Sequence, residues 1–277
     1  MRIGNQMFDT EHHTYIMGIL NVTPDSFSDG GRWNNEAGAL RHVEEMIKEG
    51  AHIIDVGGES TRPGYTRISD EDEIERVVPV IRRIKEEFQI PVSVDTYKST
   101  VARAAAEAGA DLINDIWGLK ADPAMAEVIA DTKTACCLMH NRREAVYQAF
   151  MTDMIADLRE TLDIAKQAGI AMDKIMLDPG VGFAKSYEQN LEAINNLELL
   201  QDLGCPVLLG TSRKSVVGLT LDLPATERVE GTVATTVIGV MKGASFVRVH
   251  DIRENARAIR MTEAILGSGK ATAVNRK

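Results

Sequence analysis

The chain has 277 residues, of which 44% are hydrophobic and 26% are charged, with a formal net charge of −10. This length and composition allow one large domain or two small ones, and the acidic balance argues against nucleic acid or an anionic membrane as the main partner. No stretch approaches the ~20 apolar residues of a membrane span, and the N-terminus has no apolar signal core. We therefore expect a cytoplasmic protein.

The predicted elements begin with a strand at Tyr15–Leu20, which runs into the long segment NVTPDSFSDGG (21–31). A helical stripe formed by Leu40, Val43 and Ile47 ends before Gly50. The second strand, 52–56, is followed by the long segment GGESTRPGYTRIS (57–69). Both segments exceed the two to six residues that usually join strand to helix, so we expect them to order over a ligand.

The next helix carries a stripe at Ile74, Val77, Ile81 and Ile84, with Ser69 as its predicted N-cap and Pro79 as a predicted kink or break. The later predicted strands are 91–94, 111–113, 135–139, 174–177, 206–209 and 245–249. The later predicted helices are 99–108, 123–130, 148–168, 187–203, 227–241 and 252–266. Capping boxes are predicted at Ser186 with Gln189 and at Asp251 with Glu254.

Eight short, almost wholly apolar runs alternate with helices, which is typical of parallel strands covered on both faces. Eight such repeats in about 250 residues match a (β/α)8 TIM barrel. A doubly wound open sheet is the alternative, since alternation does not show closure. No linker divides residues 1–277, so we predict a single barrel domain, with residues 1–13 forming a small plug or hairpin at its bottom.

The three cysteines are Cys136, Cys137 and Cys205, and their spacing does not resemble a zinc site. Neighbouring residues on a strand face opposite sides, so the adjacent pair predicts two buried thiols in a reducing compartment.

Every predicted strand ends on a polar group, and in a barrel these ends gather at the face where active sites form. They are Asn21, Asp55, Asp95, Asn114, His140, Asp178, the segment 210–215 and His250. Asp and Asn also favour turns, which explains part of the pattern. One subset is rich in hydrogen-bond acceptors: Asp55, Asp95, Asn114, Asp115 and Asp178. A second is cationic: Arg62, Arg67, Arg213, Lys214, Arg248 and His250. Together they predict a ligand with a nitrogen heterocycle at one end and phosphate at the other.

These segments resemble those of the dihydropteroate synthases, which sulfonamides inhibit. The motifs are GILNVTPDSFSDGG (18–31), DVGGESTRPG (55–64), SVDTYK (93–98), INDI (113–116), LDPGVGF (177–183), GTSRKS (210–215) and RVH (248–250). The resemblance implies a (β/α)8 barrel that joins 6-hydroxymethyl-7,8-dihydropterin diphosphate to p-aminobenzoate with Mg2+. It also implies a homodimer, formed through the last helices, that acts on small molecules.

The resemblance further implies residue roles. The residues implied to bind the pterin are Asp95, Asn114, Asp178 and Lys214. Those implied to bind the diphosphate are Asn21, Thr61, Arg62, Arg248 and His250, with Asn21 as the Mg2+ contact. Those implied to line the p-aminobenzoate site are Phe27, Pro63, Phe183, Lys214 and Ser215. The implied catalytic residues are Asp95, Lys214, Arg248 and His250.

We expect a dissociative path, in which diphosphate leaves before the arylamine attacks. Three alternatives remain: a methyltetrahydrofolate-dependent methyltransferase, a non-catalytic pterin-binding protein, and a sugar-phosphate barrel enzyme. The methyltransferase handles no diphosphate, so it has no need of the cationic subset. The intact motifs argue against a non-catalytic protein, and a sugar-phosphate enzyme would explain the cationic subset but not the acidic one.

Overall fold

A computed structural model describes residues 1–23, 31–59 and 67–267, with the side chains of 31–35 excluded. The strands in this part of the chain are β1 Arg2–Ile3, β2 Gln6–Met7, β3 Tyr15–Asn21, β4 Ile53–Gly57, β5 Val92–Asp95, β6 Leu112–Asp115, β7 Ala135–Met139, β8 Ile175–Asp178, β9 Leu208–Leu209 and β10 Phe246–Val249.

The helices among the described residues are α1 Gly31–Glu49, α2 Asp70–Glu87, α3 Ser99–Glu107, α4 Met125–Thr132, α5 Phe150–Gln167, α6 Tyr187–Asn195, α7 Ser215–Leu221, α8 Val229–Met241 and α9 Ile252–Leu266. Short 3-10 helices cover Met172–Lys174, Leu197–Leu203 and Ala225–Glu227. None of the helices in the described ranges has the length and apolarity needed to cross a bilayer.

The eight strands β3 to β10 form one parallel sheet in the order β8-β7-β6-β5-β4-β3-β10-β9. A parallel bridge between Leu177 and Val207 joins β8 to the chain entering β9, and the Leu177 amide donates to the Pro206 carbonyl at 2.9 Å. These contacts close the ring, so the predicted (β/α)8 barrel is confirmed and the open doubly wound sheet is excluded.

The barrel interior is apolar at its lower end, where the strands begin. Alternate residues of each strand point inward, and the lower inward positions form one buried cluster. Its members from the barrel strands are Met17, Ile53, Leu112, Ala135, Cys137, Met176, Leu208 and Phe246. The antiparallel hairpin β1–β2 fills this end, because buried Ile3 and Phe8 pack into the same cluster. The predicted N-terminal plug is therefore confirmed.

The inward positions at the upper end of the barrel are polar. One step above the apolar layer, β4, β5, β6, β8 and β10 present Asp55, Asp95, Asn114, Asp178 and Arg248, of which the first four are buried. Asp55 and Arg248 lie within their strands rather than at the ends. The predicted second strand, 52–56, ends one residue before β4 does. These five residues form a polar layer directly above the apolar one, and we call this layer the polar cup.

Of the three predicted helix caps, two are present and one is absent. Ser69 caps α2 by accepting from the Asp72 amide at 3.0 Å, and Ser186 caps α6 in a full capping box with Gln189. The capping box at Asp251 is wrong, since that side chain makes no cap hydrogen bond.

Two helix predictions also need correction. The helix α2 continues through Pro79, so a break there is wrong. The predicted helix 187–203 changes to 3-10 geometry after Asn195, and α7 was not predicted. The three cysteines are free and buried, and Cys136 and Cys137 belong to different clusters on opposite sides of β7.

Candidate active site

The centre of the polar cup is one guanidinium shared by two carboxylates. Arg248 donates from Nε to Asp55 Oδ2 at 2.6 Å and from Nη2 to Asp95 Oδ2 at 2.7 Å. Asn114 donates from Nδ2 to Asp55 Oδ2 at 3.2 Å. Residues separated by up to 193 positions in sequence thus meet because four strands, β4, β5, β6 and β10, direct them to the same layer.

The described residues do not supply enough positive charge and hydrogen-bond donors to satisfy both the Asp55 and the Asp95 carboxylate. Burial, together with the neighbouring Asp55 carboxylate, raises the pKa of Asp95 to about 7 although Arg248 opposes the rise. Within the described structure, Oδ1 of Asp55 and Oδ1 of Asp95 are buried and accept no hydrogen bond. A buried acceptor without a donor costs about 1–3 kcal/mol. The cup therefore suits a ligand that brings N–H donors.

Asp178 and Lys214 are a second set of oppositely charged groups, next to Arg248 and its two carboxylates. Asp178 accepts from the Gly180 amide at its Oδ1 at 2.6 Å, and burial raises its pKa against the opposing charge of Lys214. A β-carbon on Gly210 would lie 3.6 Å from Asp178 Oδ2 and 3.7 Å from Lys214 Nζ. Glycine thus leaves room between the two charged groups, and burial lowers the pKa of Lys214 to about 8.

An apolar wall borders the cup. Tyr97, Ile116 and Met139 form a buried cluster, against which the partly buried Trp117 and Phe183 pack. Lys214 Nζ lies 4.9 Å from the centre of the Phe183 ring. Sequence reasoning singled out Phe183 but missed Ile116 and Met139, because an apolar residue in an apolar run looks like ordinary core.

The rim carries Asn21 and His250. A β-carbon on Gly57 would lie 3.5 Å from Asn21 Oδ1 and 3.8 Å from Asp95 Cβ, so the amide and the carboxylate flank the same glycine. Ser212 Oγ accepts from the His250 amide at 3.1 Å and lies 3.0 Å from its Nδ1. The serine side chain therefore contacts His250 at two points, its backbone amide and its ring.

The oxygen donors at the rim fit Mg2+. The described residues hold no cluster of three His, Cys, Asp or Glu that could bind a metal alone. Mg2+ prefers oxygen ligands and usually keeps waters while it binds substrate phosphate through one or two protein oxygens. The Asn21 amide oxygen, which lies at the rim beside Gly57, is such a ligand.

Three residues that the sequence predicted to be among the ligand-facing polar groups are not free to act there: Asp115, Arg213 and His140. Asp115 faces outward and accepts from the Trp117 and Leu119 amides at 2.8 and 2.7 Å, so it is not part of the cup. Its pKa is raised to about 6, chiefly by burial. Arg213 forms a two-point ion pair with Asp251, which neutralises the charge assigned to the cationic subset.

His140 is buried at the end of β7, and its ring bonds Asp157 and Lys185 rather than facing the cup. Ser215 is an exposed residue at the start of α7, next to Lys214. The predicted residues Phe27, Thr61, Arg62 and Pro63 lie outside the described residues.

The amino-acid sequence that builds this barrel and its polar cup matches a family model. The model for pterin binding enzymes covers residues 17–250 of this chain. The chain belongs to the dihydropteroate synthase family of pterin-binding enzymes. A dihydropteroate synthase of Clostridium beijerinckii is 62% identical over 267 residues, spanning 96% of this chain and 99% of that protein. One from Bacillus subtilis is 54% identical, covering 92% of this chain and 90% of its own length.

Solved structures of this family agree in fold. The dihydropteroate synthase of Clostridium difficile, crystallised in the presence of pteroic acid, matches with a TM-score of 0.91 and 50% identity over 94% of this chain and 99% of that one. The Yersinia pestis enzyme in a sulfonamide drug complex matches with a TM-score of 0.90 and 42% identity over 96% of this chain and 99% of its own.

Proposed function

We propose that this pterin-binding family member condenses 6-hydroxymethyl-7,8-dihydropterin diphosphate with p-aminobenzoate, giving 7,8-dihydropteroate and diphosphate in folate biosynthesis. The observation that carries the proposal is the polar cup, in which buried carboxylate oxygens of Asp55 and Asp95 accept no hydrogen bond from the described residues. A pterin edge carries an exocyclic amine and ring N–H groups, which would supply those donors.

The pterin is held by the acceptors of the cup. The Asp178 carboxylate is oriented by the Gly180 amide and accepts from one ring N–H and the exocyclic amine, which leaves the second ring N–H for the Asp95 carboxylate oxygen that accepts no hydrogen bond from the described residues. Asn114 both donates and accepts, and Lys214 donates to a ring acceptor. The apolar side chains Ile116 and Met139 pack against the ring face.

The other substrate groups bind nearer the rim. Phe183 and Lys214 border the p-aminobenzoate, together with Phe27, Pro63 and Ser215. Diphosphate is bound by His250 and Asn21, with Thr61 and Arg62 of the second long segment. Arg248 contributes a guanidinium that already spans Asp55 and Asp95, so it balances the charge of the cup as well as that of the leaving group.

The reaction follows a dissociative path. The C–O bond breaks first, and the diphosphate leaves with the electron pair. The remaining cation is delocalised into the pterin ring, where the Asp95 carboxylate faces it and stabilises the charge. The arylamine nitrogen then bonds the carbon and loses a proton to solvent. When bound, Mg2+ supplies positive charge to the diphosphate, and Asn21 is its protein contact.

The test is release of diphosphate by the purified protein with both substrates, measured with and without Mg2+. Formation of 7,8-dihydropteroate that requires Mg2+ supports the proposal, whereas tight pterin binding without turnover would favour the non-catalytic alternative. Methyl transfer from methyltetrahydrofolate would favour the methyltransferase. Slow diphosphate release in the absence of p-aminobenzoate is the result that the dissociative path requires.

We also propose that the protein works in the cytoplasm as a homodimer formed through its last helices. Met241 on α8 and Ile265 on α9 are 63% and 72% exposed, so both apolar side chains are available to pack against a second copy of the chain. Met241→Glu should convert the dimer to a monomer in light scattering. A wild-type protein that is monomeric at micromolar concentration would contradict this.

A further inference from the structure

The segment that leaves β8 forms a backbone hook, residues 180–184. Its backbone turns left-handed at Gly180, Gly182 and Ala184, with φ of 70°, 88° and 42°. Glycine adopts these angles freely, but alanine does so only at a cost. Ala184 therefore needs external contacts to remain in this conformation.

Lys185 supplies such contacts. Its Nζ donates to the Gly180 carbonyl at 2.9 Å and the Phe183 carbonyl at 3.0 Å, and it lies 2.9 Å from His140 Nδ1. In its ammonium form the group has three N–H donors, which these acceptors saturate. Burial lowers the pKa of Lys185 to about 7, so this form is complete only below neutral pH. One side chain thus ties both ends of the hook to the end of β7.

His140 is fixed in a single form. Burial and the adjacent Lys185 lower the pKa of His140 to about 3, so the ring is neutral. Since Nδ1 accepts from Lys185, Nε2 carries the proton and donates to Asp157 Oδ2 at 2.9 Å. Arg142 binds the same carboxylate at 2.6 and 3.1 Å.

Tyr147 makes a second tie to the hook. Its hydroxyl donates to the Ala184 carbonyl at 2.9 Å, and the Arg142 guanidinium lies 4.3 Å from the centre of its ring. The charged cluster therefore reaches the left-handed alanine by a route independent of Lys185.

The hook in turn carries three groups of the candidate active site. The Gly180 amide orients Asp178, the Val181 carbonyl accepts from Lys214 Nζ at 2.5 Å, and the Phe183 ring lies beside that ammonium. A shift of the hook would move all three together.

We propose that Lys185 is a positioning residue: its Nζ, bonded to the His140 ring that Asp157 orients, sets the hook and thereby the p-aminobenzoate end of the site. This rests on the proposed function of that site. Lys185 touches no substrate, so its loss should act mainly through binding geometry.

The kinetic test compares Lys185→Met with Lys166→Met, which removes an exposed lysine on α5. Lys185→Met should raise KM for p-aminobenzoate by ~10-fold or more, with a smaller fall in kcat, since the hook positions Phe183 and Lys214, which border that substrate and not the bond that breaks. Lys166→Met should match the wild type. Equal kinetics for all three proteins would overturn the proposal.

Two further variants separate positioning from simple instability. Tyr147→Phe removes one hydroxyl and should raise the same KM by a smaller factor. In a double-mutant cycle, His140→Ala and Lys185→Met should be less than additive on KM, because each breaks the same tie. Fully independent effects would contradict the His140–Lys185 unit.

A measurement without substrate distinguishes failure of this inference from failure of the proposed function. In the wild type the Gly182 amide donates to Asn190 Oδ1 at 2.6 Å and the Phe183 amide donates to the Gly180 carbonyl at 3.1 Å. Lys185→Met should speed hydrogen exchange at these amides by at least ~10-fold at matched global stability. Unchanged exchange would refute the role of Lys185 whatever the enzyme catalyses.

Discussion

Asp95→Asn should make the ligand-free protein more stable while it impairs the site. Two buried carboxylates share one guanidinium, and the pKa of Asp95 rises from its ordinary 3.8 to about 7, chiefly because the group is buried. The folded state thus binds a proton more tightly than the unfolded state, and the stability from this group is lost as pH rises from about 4 to above 7. At about 1.4 kcal/mol per pKa unit, the cost is about 2 kcal/mol at pH 5 and about 4 kcal/mol at pH 8.

Asparagine has the shape of the protonated acid and cannot ionise, so the variant avoids this cost. The free energy of unfolding, measured by urea denaturation, should exceed that of the wild type at pH 8 by about 4 kcal/mol and at pH 5 by about 2 kcal/mol. Asp163→Asn, an exposed acid on α5, is the matched control and should stay within about 0.5 kcal/mol of the wild type. If Asp95→Asn destabilises the protein at pH 8, or if its effect does not grow with pH, the reasoning about the shared guanidinium is wrong.

Three other predictions concern single contacts. Gly180→Ala would place a β-carbon 2.0 Å from the His140 carbonyl, so its urea midpoint should fall well below that of Gly169→Ala, where no atom lies within 4 Å and φ is also positive. A similar loss in both variants would show that the backbone angle alone matters. Asn21→Ala should raise the Mg2+ concentration for half-maximal rate, and an unchanged titration would remove the residue from the metal site. Asp178→Asn should weaken binding of a pterin by ~10–100-fold in calorimetry, because a buried charged acceptor is lost; binding at wild-type affinity would contradict the pterin assignment.

The cup could be predicted from sequence where a polar residue interrupts or ends an apolar run. Asp178 and Asn114 stand out in this way, since nothing in a strand core favours a carboxylate or an amide. Arg248 lies inside a strand rather than at its end, but an arginine between valines is an equally clear signal.

The error at Asp115 could have been avoided. Consecutive residues of a strand face opposite sides, so Asn114 and Asp115 cannot both point into the barrel. The sequence shows which strand residues are polar. Their odd or even position along the strand decides which of them face the barrel interior.

The cluster around Lys185 could not have been predicted. Its contacts join Lys185 to His140 across 45 positions and His140 to Asp157 across 17, with no periodic spacing. His140 stands out only as the polar end of a strand, while Lys185 and Asp157 taken alone are ordinary polar residues of a loop and a helix. Only the closed barrel brings β7, α5 and the hook after β8 together.

The hairpin of β1 and β2 restricts how molecules enter and leave. Ile3 and Phe8 occupy the lower opening, so within the described structure the cup has a single entrance. The substrate that binds at the bottom of the cup must bind before the one that binds at its entrance. It cannot dissociate while the entrance is occupied. Steady-state kinetics should therefore follow a compulsory sequence, with the pterin substrate first.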